Sequence, residues 1–327
     1  MSNCYFIYIH SSAYKIISAE TCFISGAINS FTGRQCKIFI QDEINVESIQ
    51  AESIIFAIGQ NLKISSSRED IYLIFLSFSA FYNVGSLLGL GYDGYKLINS
   101  RKQLIEKNIL GKIDSYLDFY PKHAQVFARK TGIDTGVFPV NICNQPGWPC
   151  YSEKKISPRY DVCVVGAETK RRKIHWDQLK KYGLSLSPNK SDDLADTISQ
   201  SRLVINIHSH KYHNLEIPRI INAMAVGVPV LSEPCIGLQD VIPEELIFMA
   251  DYKSICSTAK KLLSNPQKLR ESAQRAHEWW ISVHTPQSRQ TWIHLLHDLE
   301  KKATDKFMRS KVKGENQDKL NNQTFSR

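Results

Sequence analysis

The sequence predicts an α/β protein made of two doubly wound domains. Three observations carry this reading. In the second half of the chain, short apolar runs alternate with segments of helical periodicity. Those runs are apolar without a break, as in Asp161–Ala167 (DVCVVGA) and Arg202–His208 (RLVINIH), which suits strands buried on both faces of a parallel sheet. The length of 327 residues, with 43% hydrophobic and 22% charged residues, is enough to bury a core in each of two domains.

Taken in order, the first half offers strands at Tyr5–Ile9, Lys37–Ile40, Ser53–Ile58, Ile71–Phe78 and Val137–Val140, with clear helices only at Lys102–Ile109 and Lys122–Lys130. We therefore expect a smaller, less regular α/β domain over residues 1–143. Residues 144–158 hold Pro146, Gly147, Pro149 and Pro158, a composition that suits a linker. From 159 to 284 the alternation is regular. Lys170–Lys181 follows the first strand as a helix, Leu184–Ser187 is a short strand and Ser191–Ser201 a helix. After Arg202–His208, helix Pro218–Ala225 ends at Gly227, and strands Val228–Ser232 and Leu246–Ala250 follow. Three apolar stripes at helical spacing close the domain. The last, Trp292, Leu295, Leu296 and Leu299, belongs to a helix over 285–304 expected to pack back on the first domain. Residues 305–327 are polar and charged, and composition reads them as a disordered tail.

The charge is unevenly placed. Residues 1–150 carry 13 Lys and Arg against 12 Asp and Glu, and residues 151–327 carry 28 against 20. A basic half wants an anionic partner: a nucleoside diphosphate or an anionic membrane face. Nucleic acid is not expected, because the basic residues lack interleaved aromatic stacking positions. No apolar run reaches the roughly 18 residues of a membrane span, and residues 1–10 lack the basic start and cleavage site of a signal peptide. Eight scattered cysteines form no Cys-x-x-Cys pair, which argues against zinc and for a reducing, cytoplasmic setting.

Three segments are candidates for chemistry. The first is Gly166 at a strand end, followed by Lys170, Arg171, Arg172 and Lys173 at a helix start. Open α/β sheets bind ligands beyond the carboxyl ends of their strands. Cations at a helix N-terminus oppose the macrodipole, a conflict that a bound phosphate resolves and a merely solvated basic face does not. The second is Asn206 and His208 at the end of the next strand, readable as ligand contacts or as a satisfied histidine and a turn. His208, His210 and His213 lack a carboxylate at metal-ligand spacing, so no metal is expected. The third is Glu216 to Glu233, in which Glu216, Arg219 and Asn222 share the polar side of an otherwise apolar helix. An unligated i,i+3 ion pair is the plain alternative there.

The run Ala223-Met224-Ala225-Val226-Gly227-Val228-Pro229-Val230 resembles the donor-binding helix of GT-B glycosyltransferases, retaining family four among them. The phrases Asn206-Ile207-His208, Glu216-x-x-Arg219, Ser232-Glu233 and the Arg171-Arg172 pair are similar to those of CgeB-type spore-maturation glycosyltransferases. The resemblance covers residues 159–300. It implies a GT-B-like fold of two Rossmann-like domains and a metal-independent glycosyltransferase of hexosyl type. The donor is then a nucleotide sugar, used as co-substrate with no further cofactor, and the acceptor a glycan, lipid or protein. It also implies phosphate contacts from Gly166, Lys170, Arg171, Arg172 and Lys173, and nucleoside or sugar contacts from Asn206, His208, Glu216, Arg219, Asn222 and Glu233. A glutamate that contacts ribose in the family is Asn222 here, so an inactive binding module stays open beside the enzyme, as does a sugar-nucleotide epimerase. For acceptor chemistry the candidate is His10, at the end of the first strand. The expected setting is cytoplasmic, with peripheral contact at the inner membrane face.

Overall fold

The computed structural model describes residues 4–78, 91–142, 158–164, 166–189, 194–209 and 217–324. The chain divides into two compact units. The first gathers Met1–Tyr82, Asn99–Pro139 and Arg289–Arg327, the second Asn83–Ile98 and Val140–Ser288.

The first unit is a six-stranded sheet in the order β2-β1-β4-β6-β7-β8. Its strands are β1 (Cys4–Ile9), β2 (Lys37–Ile40), β4 (Ser53–Ile58), β6 (Ile71–Ser77), β7 (Ser115–Asp118) and β8 (Asp134–Val137). Every pairing in it is parallel. Two short strands, β3 (Glu43–Ile44) and β5 (Lys63–Ile64), pair separately. β4 and β6 are buried at every position, as their unbroken apolar sequences require of central parallel strands.

This sheet is larger and more regular than sequence periodicity suggests. The reason lies in α1 (Ser11–Thr32), which carries few strong helix formers and gives no clear periodic signal. Ile17, Phe23, Ile24 and Ile28 are buried, while the hydroxyls of Thr21, Ser30 and Thr32 donate back to carbonyls one turn earlier. Packing thus overrides a weak local propensity. His10 caps the helix start, and Gly33, with φ +65°, ends it. α2 (Gly91–Asn108) and α3 (Pro121–Thr131) complete the crossovers. The strand expected at Val137–Val140 forms three residues earlier, as β8.

Residues 305–324 correct the expectation of a disordered tail, because α9 runs from Thr285 to Thr324. The composition is polar, yet Ala303 and Phe307 are buried, and Lys306 Nζ donates to the carbonyls of Arg68 (2.9 Å) and Ile71 (2.6 Å) and to Asp114. Earlier on the same helix Trp292 is fully buried between Phe56 and Phe138, and its Nε1 donates to the Pro139 carbonyl at 3.3 Å. Two or three such anchors per few turns stabilise a helix that its surface residues alone would not specify.

The second unit is a four-stranded sheet, order β12-β11-β10-β9, with β9 (Tyr160–Cys163), β10 (Ser201–Asn206), β11 (Val230–Ser232) and β12 (Phe248–Met249) all parallel. Leu186 adds a parallel bridge to Val162 on the outer side of β9, where a short strand was expected. Around the sheet lie α4 (Lys170–Lys181), α5 (Leu194–Ser199), α6 (Ile217–Ala225), α7 (Ile255–Leu263) and α8 (Pro266–Trp279). Trp176, Leu179, Ile255, Ala259 and Leu263 pack with Val162, Leu203, Ile205 and Leu231 into one core. The chain therefore leaves β9 toward Leu186 and returns on the opposite side as β10. That reversal puts a topological switch point between β9 and β10, where doubly wound sheets open a crevice at the carboxyl edge. The proposed linker, save Pro158, lies outside the described residues.

Candidate functional site

The residues at this switch point are those of the three segments singled out from sequence. Gly166 follows β9 with φ +136°, and its N–H donates to the Asn189 carbonyl at 2.9 Å. A Cβ there would lie 2.8 Å from Arg172 Nη1 and 2.9 Å from Arg219 Nη2. Two guanidinium groups thus close on one point of bare backbone. Gly166→Ala should cost about 1–3 kcal/mol from backbone strain and push both guanidiniums aside. A urea melt together with nucleotide titration reads the two effects.

The basic run at the start of α4 divides by direction. Thr169 caps the helix, accepting from Arg172 N at 3.3 Å. Lys170 and Lys173 are exposed, Lys173 loosely paired to Glu168 at 3.7 Å. Arg171 and Arg172 turn inward. Arg172 is buried, its Nε donating to the Ile207 carbonyl at 2.8 Å and its Nη1 to that of Ala167 at 3.1 Å. Arg171 donates from Nη1 to the His208 carbonyl and to Glu233 Oε2, both at 2.7 Å, and pairs through Nη2 with Glu233 Oε1. Its guanidinium stacks on Tyr252 at 4.0 Å, and the Tyr252 hydroxyl donates back to the Arg171 carbonyl at 3.2 Å.

Glu233 is completely buried, and its Oε2 also accepts from the His208 N–H at 2.8 Å. Burial alone would raise its carboxyl pKa; Arg171, with smaller help from His208, outweighs this and holds it below the usual value. In this structure Glu233 is thus a buried partner of Arg171 and His208 rather than an exposed donor contact. Asn206 is buried too. Its Nδ2 donates to Ser232 Oγ at 3.0 Å, and its Oδ1 accepts from Arg219. His208 is buried with Nε2 3.2 Å from the Pro234 carbonyl. Asn222 donates through Nδ2 to the Pro218 carbonyl at 2.7 Å, within α6. Glu216 lies outside the described residues.

Sequence reasoning missed Tyr252, a single aromatic after the last strand with no pattern around it, and His175, buried 3.2 Å from Cys256 Sγ and against the Tyr252 ring. His10 is in the first unit. Ser12 N donates to its Nδ1 at 3.2 Å, and its Nε2 lies 3.2 Å from Asp42. Both ring nitrogens are thereby engaged in holding the start of α1. Among the described residues no group of three or more His, Cys, Asp or Glu side chains is arranged to hold a metal ion.

Known proteins resemble this chain in sequence and in fold. Residues 151–294 match the family described as Glycosyl transferase-like. The structure is similar to that of WaaG, a glycosyltransferase involved in lipopolysaccharide biosynthesis, with a TM-score of 0.55 and 8% identity over 89% of this chain and 99% of that one. It is also similar to Anabaena HepE, solved with UDP-glucose, with a TM-score of 0.54 and 11% identity over 90% and 99%.

The fold is that of the GT-B glycosyltransferases.

Within it, the glycosyl transferase-like segment contains every residue assembled at the β9–β10 switch point. A mimivirus protein, L137 of Acanthamoeba polyphaga mimivirus, is 25% identical over 60% of this chain. The chain spans about a third of that relative, 32% of it.

Proposed function

We propose that the chain is a glycosyltransferase that takes its sugar from a nucleotide-diphosphate donor held at the GT-B switch point of the second unit. One observation carries this reading: Arg172 and Arg219 converge within 3 Å of the position a Cβ would take on Gly166, beside the N-terminus of α4. Two guanidiniums beside bare backbone and a helix N-terminus offer an anion several donors converging on one point. A diphosphate has the charge.

In the transfer, the bond from the anomeric carbon to the diphosphate oxygen breaks as a bond to an acceptor hydroxyl oxygen forms, and the hydroxyl proton leaves. Negative charge grows on the leaving diphosphate. Arg172, Arg219 and the α4 N-terminus, with the exposed Lys170 and Lys173 at the rim, stabilise it without calling on a metal. Arg171, held by Glu233 and Tyr252, keeps the end of α4 and the His208 backbone in register. Glu216 is the proposed contact to ribose and sugar hydroxyls; Asn206, buried and bonded to Ser232 and Arg219, positions the Arg219 guanidinium instead, and the buried Asn222 amide bonds its own helix. The acceptor is a glycan, lipid or protein, and the setting is cytoplasmic.

The test is a thermal-shift screen of the full chain against UDP-, GDP-, dTDP- and ADP-sugars. HepE was solved with UDP-glucose, which makes that the first ligand to try. A ligand at a hundred times its dissociation constant stabilises by about 2.7 kcal/mol, a clear rise in melting temperature. No rise with any of the four would sink the proposal. A second reading, a binding module without turnover, is favoured by Asn222, whose amide is committed to its own helix where the resembling family has a glutamate. Donor consumption in the presence of mixed acceptors separates the two. Isomerised sugar nucleotide formed without acceptor would mark an epimerase.

A further inference from the structure

A charged cavity in the first unit lies at the opposite edge of its sheet from the carboxyl ends. It is a groove of about 810 Å³ at the amino ends of β6, β7 and β8, bordered by α9. Six of its lining residues are cations and four are acids. Lys306 and Lys302 are committed to Asp114 and Asp134, and Arg68 to Asp70. Arg309 and Lys313 stand on the rim. Arg309 donates from Nε to its own helix at Asp305 O, and Lys313 is 3.6 Å from an equally exposed Glu69.

The same stretch of α9 turns an apolar pair outward. Met308 and Val312, one turn apart, are 55% and 58% exposed, more than any other large hydrophobic residue described. At 100° per residue they lie on the side of the helix away from Ala303 and Phe307, next to Asp305. Arg309 and Lys313 flank them on the groove side. Lys311, paired to Glu52, flanks them on the other, and Lys301 and Asp305 precede them on the same face. An isolated exposed Met or Val needs no explanation. Two in register, bordered by Arg309, Lys313, Lys311 and Lys301 with Asp305 among them, form an amphipathic face that suits a lipid interface, where aliphatic tips enter the acyl boundary and cations meet headgroup phosphates.

We propose that this face of α9, with the rim of the groove, docks on an anionic lipid surface. The apolar pair decides the partner: a nucleic acid backbone offers it nothing, and the patch has no exposed aromatic ring for base stacking. Among the described residues no helix is long and apolar enough to cross a membrane, so the contact is one of lying on the surface. The inference does not depend on the transferase reading.

Co-sedimentation of the full chain with vesicles tests it. The parent should pellet with phosphatidylcholine vesicles containing phosphatidylglycerol, not with phosphatidylcholine alone, and should be released at high salt. Each cation near such a surface contributes about fivefold in partitioning. Arg309→Glu with Lys313→Glu should therefore cut binding by roughly twentyfold or more. Met308→Asp with Val312→Asp should cut it by about tenfold. All four side chains are at the surface, so circular dichroism and melting temperature should match the parent. Equal binding to neutral vesicles, parent-like binding by both double variants, or no binding to anionic vesicles at low salt overturns the proposal. Binding to polyglutamate or single-stranded RNA in place of vesicles overturns it too, since the surface then serves a macromolecular anion.

Discussion

Replacing Arg172 and Arg219 together by glutamine should lower nucleotide affinity by a hundredfold or more. Each guanidinium facing a phosphate makes charge-assisted hydrogen bonds of about 1.5–3 kcal/mol, and about 1.4 kcal/mol is tenfold in a dissociation constant. Two such losses reach about 3–6 kcal/mol. Arg172 also satisfies the carbonyls of Ile207 and Ala167, so the double variant should melt earlier as well. Arg219→Gln alone separates the readings. Arg219 is half-buried and bonds the buried Asn206, so its loss should weaken binding about tenfold and cost about 1–3 kcal/mol of stability, less than the double variant. Calorimetric titration with the best nucleotide from the screen measures both. If the double variant binds as the parent does, the guanidiniums at Gly166 serve packing and the donor site is elsewhere.

Glu233→Ala should be the most destabilising single change in the second unit, by about 3–5 kcal/mol in urea unfolding. It strips a mostly buried guanidinium of its carboxylate and leaves the His208 N–H without an acceptor. Arg171→Met should cost a similar amount, since it strands a fully buried carboxylate. The double variant Arg171→Met with Glu233→Gln removes both charges and should recover much of the loss, because a buried pair is worth far less than the cost of breaking it. Strict additivity of Arg171→Met and Glu233→Gln, each also measured alone, would disprove the coupling. The pair also fixes an acid limit. Glu233 has a folded pKa below its usual 4.5, so the unfolded chain binds the extra proton first as pH falls. Its contribution is complete above about pH 4.5 and is lost as pH falls toward and through the folded value. Stability of the parent should drop across that acid window, and the Glu233→Gln variant should lack that part of the drop.

The second unit was legible in the sequence because its strands are short, wholly apolar and separated by helical segments. Asp161–Ala167 and Arg202–His208, alternating with helical segments, fit a covered parallel sheet, and the sheet puts Gly166, Asn206 and His208 at one edge. The inward turn of Arg171 and Arg172 was not legible. Four consecutive cations look alike in sequence, and only the angle at which α4 leaves Thr169 sends two to the interior and two to solvent. Glu233 likewise reads as a polar residue after a strand. Its role as the partner of Arg171, 62 positions away, exists only once β11 lies beside β10.

The first unit shows the reverse weighting. Its strands announced themselves at Tyr5–Ile9, Ser53–Ile58 and Ile71–Phe78, but α1 did not, because serine and β-branched residues favour other local structures. The helix forms because it covers the sheet and because its hydroxyls bond its own carbonyls. Residues 305–324 were misread for a related reason: composition measures average polarity, whereas one buried Phe307 and one Lys306 reaching three acceptors decide whether a polar segment stays on the surface it meets. The sequence by itself determined the strands of the second unit and the most apolar strands of the first, that the second unit's sheet is parallel, and which of its strand ends carry polar groups, since burial on two faces leaves a continuous apolar mark; β7 (Ser115–Asp118), short and mixed in composition, leaves none. Tertiary structure alone decided which cations face one another and which carboxylate holds them, since those pairings depend on distances between elements that no local pattern records.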